Sequence, residues 1–419
     1  MFDKLPTEII QIIIEQKSLG FRDLVHLSST CTFLRKFILN NNTLWKRHYL
    51  KMWSKIPDLP EIDDYYLEIT HCHHIIKTVN QILIKTNKFT KKTFKEIIKI
   101  IDSKRLNREY AVGFFVYTFF DKTDKYMIQK QTLYCLTHYA LYNVIKDFFS
   151  LNVQNQVFEI AVTLLEQWIK PQDNTKIEDV QNELDKIAEE VKKFVRINHP
   201  NHPIFAICED LKQFRSKHIS NNKFSSKDSK IILESMNKVI FETMRFSACS
   251  NFFMIDNSLI SKVLKSQIGS RLVLSIIYES VARRLGVNLS PYNAGSLYLL
   301  KFIEDDTPEK IVYIIDVFSC AVMVPVNEEA VMQSGLGMPS MSRSNSKEVI
   351  SSILPNLSTA LIIKLVSTQQ DNLEAKLLVR AITSLELFLR SFDINTRKFK
   401  FLYSLDNIIE ALFSDNSRF

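Results

Sequence analysis

The stretch "SQIGSRLVLSIIYESVARRLG", residues 266–286, decides how the second half of the chain is read. Leu274, Ile277, Val281 and Leu285 recur at intervals of three and four, which places them on one face of a helix. The stretch closes on Leu285 and Gly286. A helix start of this kind can activate a thiol, because its free N–H groups and dipole favour the thiolate. The stretch holds no cysteine. It predicts a core helix without the nucleophile its layout would suit.

Outward from this helix the pattern changes on both sides. After it come "SLYLLKF" and "KIVYIIDVF", β-branched and aromatic runs separated by "IEDDTPE", which read as a hairpin of two strands. Before it, "ISNNKFSSKDSK" is a polar break, followed by helices at 228–246 and 257–265. Five of the seven glycines lie between residues 269 and 337. Strand-to-helix turns need the positive φ that glycine supplies, so the amino-terminal half is predicted to be nearly all helix. The fold class is therefore mainly α with a smaller α+β domain. A first module spans 1–53, a helical domain 65–218, a mixed domain 219–346 with a mobile loop at 327–346, and helices 347–419. The acid- and proline-rich "SKIPDLPEIDD", 54–64, marks the first boundary.

The 419 residues are 46% hydrophobic and 24% charged, an ordinary globular composition with room for two or three domains. No apolar run is long enough for a membrane span, and "MFDKLPTEII" lacks the basic start and apolar centre of a signal peptide. The expected location is cytoplasmic or nuclear, with no membrane partner. Six dispersed cysteines without a Cys-x-x-Cys pair read as reduced, mostly buried thiols. The net charge is +8, and residues 81–130 hold most of the excess. The lysines there fall between Phe94, Ile97, Ile98 and Ile101 at helical spacing, the pattern of a solvated helix face, which argues against nucleic acid as a partner.

In residues 5–53 the pattern gives three short helices: Pro6 opens the first, Gly20 ends it, and Leu24, Leu27, Cys31 and Leu34 repeat along the second. Leu44 and Trp45 add bulk. So few residues bury a smaller share of their apolar surface than a large domain does, so a protein partner is expected to cover the rest. The stretch resembles the F-box, with its Leu-Pro start, Ile/Leu run, Leu-rich second helix and late Leu-Trp. That resemblance implies docking on the Skp adaptor of a cullin-RING ubiquitin ligase through Leu5, Pro6, Ile9, Leu24, Leu27, Leu34 and Trp45.

Residues 228–325 resemble the transglutaminase-like superfamily in its bacterial SirB-type branch, through "ILESMNKVIFETMRF", "DNSLISKVLKSQIG", "LSIIYESVARRLGV", "NAGSLYLLKF" and "VYIIDVF". The resemblance places the family's nucleophile at Arg271, its histidine at Ser296 and its acid at Asp316. Arginine offers donors only and no nucleophile. All nine histidines lie at or before His218, so residues 219–419 supply no imidazole base. Cys249 and Cys320 remain as thiols. Asp316 is open to two readings, a surviving catalytic acid or a strand-end acid that caps a turn.

With "EIAVTLLEQWIKP" and "LDKIAEEVKKF", the middle segment also resembles the F-box only protein 21-like family. This implies a substrate receptor of a ubiquitin ligase, acting on an unknown protein substrate by positioning and without catalysis of its own. Members usually end in a barrel related to a hemimethylated-DNA-binding protein, and no glycine-rich strand series for it is expected here. "HCHH" at 71–74 reads as helix-surface histidines, because adjacent helical residues point apart and only His71 and His74 share a face. No phosphate-cradling glycine motif is present, and no metal or cofactor is expected. Serines in "SRSNS", 342–346, are candidates for phosphorylation. A cysteine hydrolase and a nucleic-acid binder acting through 81–130 stand as alternatives.

Overall fold

The computed structural model describes residues 5–16, 18–52, 61–85, 90–103, 126–173, 175–207, 211–250, 254–294, 297–304, 311–326 and 345–368. The chain divides into two compact units, 1–140 and 141–419.

The first unit begins with four helices, α1 (Thr7–Ile14), α2 (Phe21–Ser28), α3 (Thr32–Leu39) and α4 (Asn42–Met52). That is one more than the pattern indicated, because Asn41 starts a fresh helix by accepting the Leu44 N–H at 3.0 Å. The Asp23 carboxylate accepts the Gly20 N–H at 2.8 Å to open α2, and the Cys31 thiol accepts the Leu34 N–H at 3.5 Å to open α3. Ile10, Ile14, Leu24, Leu34, Ile38, Leu44, Trp45 and Tyr49 form the core. This core does not close on itself. Helix α5 (Tyr65–Lys85) adds Tyr65, Ile69 and Cys72, one face at helical spacing. Asn42 ties its start to α4, accepting the Tyr65 N–H at 3.1 Å and donating to the Asp63 carbonyl at 2.9 Å. The first residues of the 65–218 segment thus belong to the core of the module before them. Helix α6 (Lys91–Ser103) buries Phe94, Ile97 and Ile98 and exposes Lys92 and Lys99, a solvated basic face. Helix α7 spans Tyr126–Ser150, and the division between the units falls within it.

In the second unit α8 (Phe158–Ile169), α9 (Ile177–Asn198), α10 (Ser226–Asn237), α11 (Ile260–Ser266) and α12 (Arg271–Arg284) precede a four-stranded antiparallel sheet. Helix α10 continues as a π turn over Lys238–Thr243. Strands β1 (Ser247–Ala248) and β2 (Ile268–Gly269) make a short parallel pair that leads into α12. The sheet runs β3 (Ser290–Ala294), β4 (Leu297–Glu304), β5 (Ile311–Asp316) and β6 (Val322–Val326) in sequence order. The expected hairpin is its centre, with Leu300 opposite Ile315 and Phe302 opposite Tyr313. Helix α13 (Ser346–Thr368) follows and packs on α8. The remainder of 347–419 lies outside the described residues.

Helix α12 is the central element, packed against α8, α9, α10, α11, β3 and β4. Gly286 closes it at φ +82, with the Gly286 N–H donating to Arg283 and the Val287 N–H to Ala282. The sequence pattern foresaw one buried face. Every residue from Leu272 to Arg284 is buried, charged ones included.

Candidate functional site

Two places carry chemistry-bearing side chains at the positions read from the sequence. The first is the junction of α12 and β5. Arg271 is the first residue of α12 and Asp316 the last of β5, and Arg271 Nη1 donates to Asp316 Oδ1 at 2.8 Å. The guanidinium lies over the Phe318 ring at 4.6 Å. Asp316 also accepts the Phe318 N–H at 3.0 Å and the Ser319 hydroxyl at 3.1 Å, so it caps the turn Val317–Ser319. The structure therefore joins two of the three positions, as an ion pair. Ser296, the third, lies outside the described residues.

Cys249, His202 and His218 are engaged elsewhere. Cys249 is buried beside β2, its N–H bonded to the Gly269 carbonyl at 2.9 Å, and burial pushes its thiol up. His202 accepts the Ile204 N–H at Nδ1 and bonds the Asp228 carbonyl through Nε2 at 3.1 Å. His218 Nε2 donates to the Gln156 carbonyl at 2.9 Å, while Nδ1 sits 3.6 Å from Glu279. Cys320 is exposed, in a left-handed conformation at φ 55. Among the described residues no group of three or more His, Cys, Asp or Glu could hold a metal ion. His71 and His74 stand on α5 without a third ligand.

Behind the junction, α12 carries a buried ionic cluster that the sequence reading missed. Arg283 places Nη2 2.6 Å from each oxygen of Glu159 on α8, and Arg284 reaches Glu159 at 3.0 Å and Asp185 on α9 at 2.6 Å. Ser280 donates to Glu159 at 3.1 Å, and Arg283 also reaches the Phe214 carbonyl. Burial alone would push the Glu159 carboxyl up; Arg283 and Arg284 outweigh it and hold the group at about 2. The sequence signal was the pair of adjacent arginines that ends α12.

The second place is the outer surface of the first unit. On α1, Ile10 and Ile14 point into the core, whereas Leu5 is 39% exposed, Ile9 43% and Ile12 57%. Pro6 precedes α1 and is exposed. These residues form an apolar stripe rimmed by exposed Thr7, Glu8 and Glu15.

Comparison with known proteins accounts for both places. Residues 2–51 match the F-box-like family model, and residues 178–351 match the transglutaminase-like superfamily model. F-box only protein 21 of Homo sapiens is 24% identical over 314 residues, covering 72% of this chain and 48% of that protein. The Pongo abelii and Mus musculus proteins of that name match at 24% and 23% identity, covering 49% and 48% of their lengths. The chain is similar to F-box only protein 21 over these residues. It spans about half the length of the curated relatives it matches. No solved structure matches it.

Within the segment that matches the F-box-like model, the seven residues expected to dock on an adaptor separate into two groups. Leu5, Pro6 and Ile9 are exposed, and Ile12, which the sequence reading omitted, joins them. Leu24, Leu34 and Trp45 are fully buried, and Leu27 is half-buried. Trp45 donates its Nε1–H to the Ile38 carbonyl at 2.8 Å, meets the Phe21 ring edge-on and packs at a tilt against Tyr66. The placement of these three as contact residues is corrected: they hold the module together from inside. Of the "SRSNS" serines, Ser342 and Ser344 lie outside the described residues, and Ser346 is buried, bonded to the Gln156 carbonyl at the start of α13. A phosphate on Ser346 would have to displace that bond.

Proposed function

We propose that this chain is a substrate-recruiting subunit of a cullin-RING ubiquitin ligase, docking on the Skp adaptor through the α1 stripe. The observation that carries this reading is the exposure of Leu5, Ile9 and Ile12 within a segment that matches the F-box-like model. A helix that buries Ile10 and Ile14 and leaves Ile9 and Ile12 in water has the form of a helix awaiting a partner surface. The rest of the chain recruits the target, and its mechanism is positioning: holding a substrate near a charged conjugating enzyme raises the effective concentration of its lysines. The expected compartment is cytoplasmic or nuclear. Among the described residues no helix is long and apolar enough to cross a membrane.

The transglutaminase-like part serves this reading as a scaffold. Support comes from the Arg271–Asp316 pair at the junction and from the burial of Cys249. A thiol nucleophile needs a base in contact, and His202 and His218 contact backbone carbonyls, a backbone N–H and Glu279. The test has two arms. Ile9→Asp with Ile12→Asp should abolish co-purification with the Skp adaptor while the circular dichroism stays that of the parent; unchanged co-purification defeats the docking reading. A thiol-reactive probe at neutral pH should label exposed Cys31 and Cys320 before Cys249; preferential labelling of Cys249 would favour an enzyme.

A further inference from the structure

Side chains alternate across a strand, so the register of β3–β6 assigns each residue to one of two faces. Leu300, Phe302 and Ile315 share the inner face and are fully buried, and Lys230 of α10 reaches Glu304 and Tyr313 on that side. The outer face reads Lys301, Ile314 and Val324 across three strands, with Ile303, Val312 and Val326 in the row on one side and Asp316 beside Val322 on the other. An antiparallel sheet with a solvated face turns polar side chains toward it. Here most of those positions are branched aliphatics instead. Exposure climbs along the middle row, from 8% at Lys301 through half-buried Ile314 to 53% at Val324, and Val322 is 57% exposed. The open part of the face is therefore β5 and β6.

Among the described residues this face holds two charged groups, Lys301 and Asp316. Asp316 is engaged by the Arg271 guanidinium, the Phe318 N–H and the Ser319 hydroxyl. The Lys301 ammonium has no hydrogen bond and no ion pair among the described residues. A lysine set among aliphatic neighbours lays its stem on them and turns its head to water. Adjacent strands stand about 4.8 Å apart, so a carboxylate seated over Ile314 comes within reach of that head. One uncompensated cation is too few for a nucleic acid or an anionic membrane, which are held by several. Nor does strand addition suit the edge, because Pro325 on β6 has no N–H to donate. We propose that the outer face of β5 and β6 docks a partner protein, through apolar side chains that cover Val322 and Val324 and one carboxylate that pairs with Lys301. This surface lies apart from the α1 stripe in the sequence, and the inference does not depend on adaptor docking.

The test selects short random peptides displayed on phage against the immobilised full chain, after depletion on a Val322→Lys, Val324→Lys variant. The recovered peptides should combine apolar residues with an Asp or Glu. Read by fluorescence anisotropy, such a peptide should bind Val322→Ser with Val324→Ser about tenfold more weakly than the parent. Lys301→Met should weaken it about fivefold. The amide version of the peptide, with Asn or Gln for the acid, should lose as much on the parent and little more on Lys301→Met, because both changes remove the same pair. Val153→Ser, at an exposed apolar residue elsewhere in the unit, should change nothing, and circular dichroism checks that each variant is folded. The proposal is overturned if no peptide is recovered, if the recovered peptides carry no carboxylate, or if the amide version binds the parent equally well. Phosphatidylserine vesicles that bind the parent but not Val322→Ser with Val324→Ser would put a membrane in the partner's place and overturn it. Self-association of the parent that the same variant abolishes would overturn it too. Co-purification with the Skp adaptor is a separate measurement, so loss of one result leaves the other standing.

Discussion

Replacing Glu159 by Gln should destabilise the second unit by about 3 kcal/mol at neutral pH, and two routes reach that size. The side chain is fully buried and faces Arg283 at 2.6 Å and Arg284 at 3.0 Å. Removing one partner of such a pair strands a charge in low dielectric, which typically costs ~3–5 kcal/mol. Arg283 would keep only Glu279 at 3.5 Å as a counter-charge. The second route is linkage: a carboxyl held at about 2 against an unfolded value of 4.5 contributes roughly 3 kcal/mol when ionised. Because the folded value is depressed, that contribution is complete above about pH 4.5 and fades as pH falls toward about 2. By about pH 3 more than half of it has gone, so the gap between parent and variant must narrow accordingly. The two units need not unfold together, so a single melting curve is a poor readout. Denaturant-dependent hydrogen exchange on peptides from 158–169 and 271–284 reports the stability of this cluster directly. A variant within about 1 kcal/mol of the parent at neutral pH, or a gap that stays constant down to about pH 3, would refute the reasoning.

Other consequences are open to simpler measurement. Trp45→Ala removes a fully buried indole and its hydrogen bond to Ile38, and should cost about 3–5 kcal/mol, so circular dichroism of the variant should show the first unit melting early. Any loss of adaptor binding in that variant would then track unfolding, unlike the loss in Ile9→Asp with Ile12→Asp. Gly286→Ala places a Cβ 2.9 Å from the Phe224 ring and 3.0 Å from Leu211 at φ +82, and should lower thermal stability by roughly 1–3 kcal/mol. In the first unit, burial lowers the His48 and His73 values below 6.5, with Arg47 and Lys51 adding to the first and Arg22 to the second. The folded state thus favours the neutral form of both imidazoles, and their Nε2 atoms are buried without a hydrogen-bond partner. The unfolded chain therefore takes up protons first, so stability present above about pH 6.5 should be lost as pH falls below it. Hydrogen exchange across 65–85 as a function of pH would show the slope, and His73→Phe should reduce it.

Much of this architecture was legible from spacing alone, and what was not has a physical reason. The helices at 226–243 and 271–284 and the pair of central strands follow from the period of the apolar residues and from Gly286. Periodicity names a buried face but not its partner, so nothing in Tyr65, Ile69 and Cys72 says that they complete the core around Trp45 rather than start another. On α1 the difficulty is sharper. "TEIIQIII" is apolar nearly all round, so the pattern cannot tell inward Ile10 and Ile14 from outward Ile9 and Ile12. Bulk misled in the opposite direction: Trp45 looked like a docking anchor, and its size is what makes it the best filler of a small core. For α12 the missing information was long-range. Arg283 is buried because Glu159 lies opposite it, 124 positions earlier in the chain, and a local window holds no trace of that pairing.

The same distinction bears on the acid at position 316. The resemblance alone invites a catalytic explanation for it, since a family position is filled by the family residue. Its bonds give another. Asp316 receives the Arg271 guanidinium, the Phe318 N–H and the Ser319 hydroxyl, fixing the start of α12, the end of β5 and the turn between β5 and β6 at one point. Loss of the carboxylate would release all three contacts, whether or not a thiol had ever stood at 271. An acid there follows from the geometry of the fold, so its presence is no argument for hydrolysis. What would argue for hydrolysis is a thiol in contact with an imidazole. Cys249 is instead buried, and His202 and His218 are tied to the Asp228 and Gln156 carbonyls.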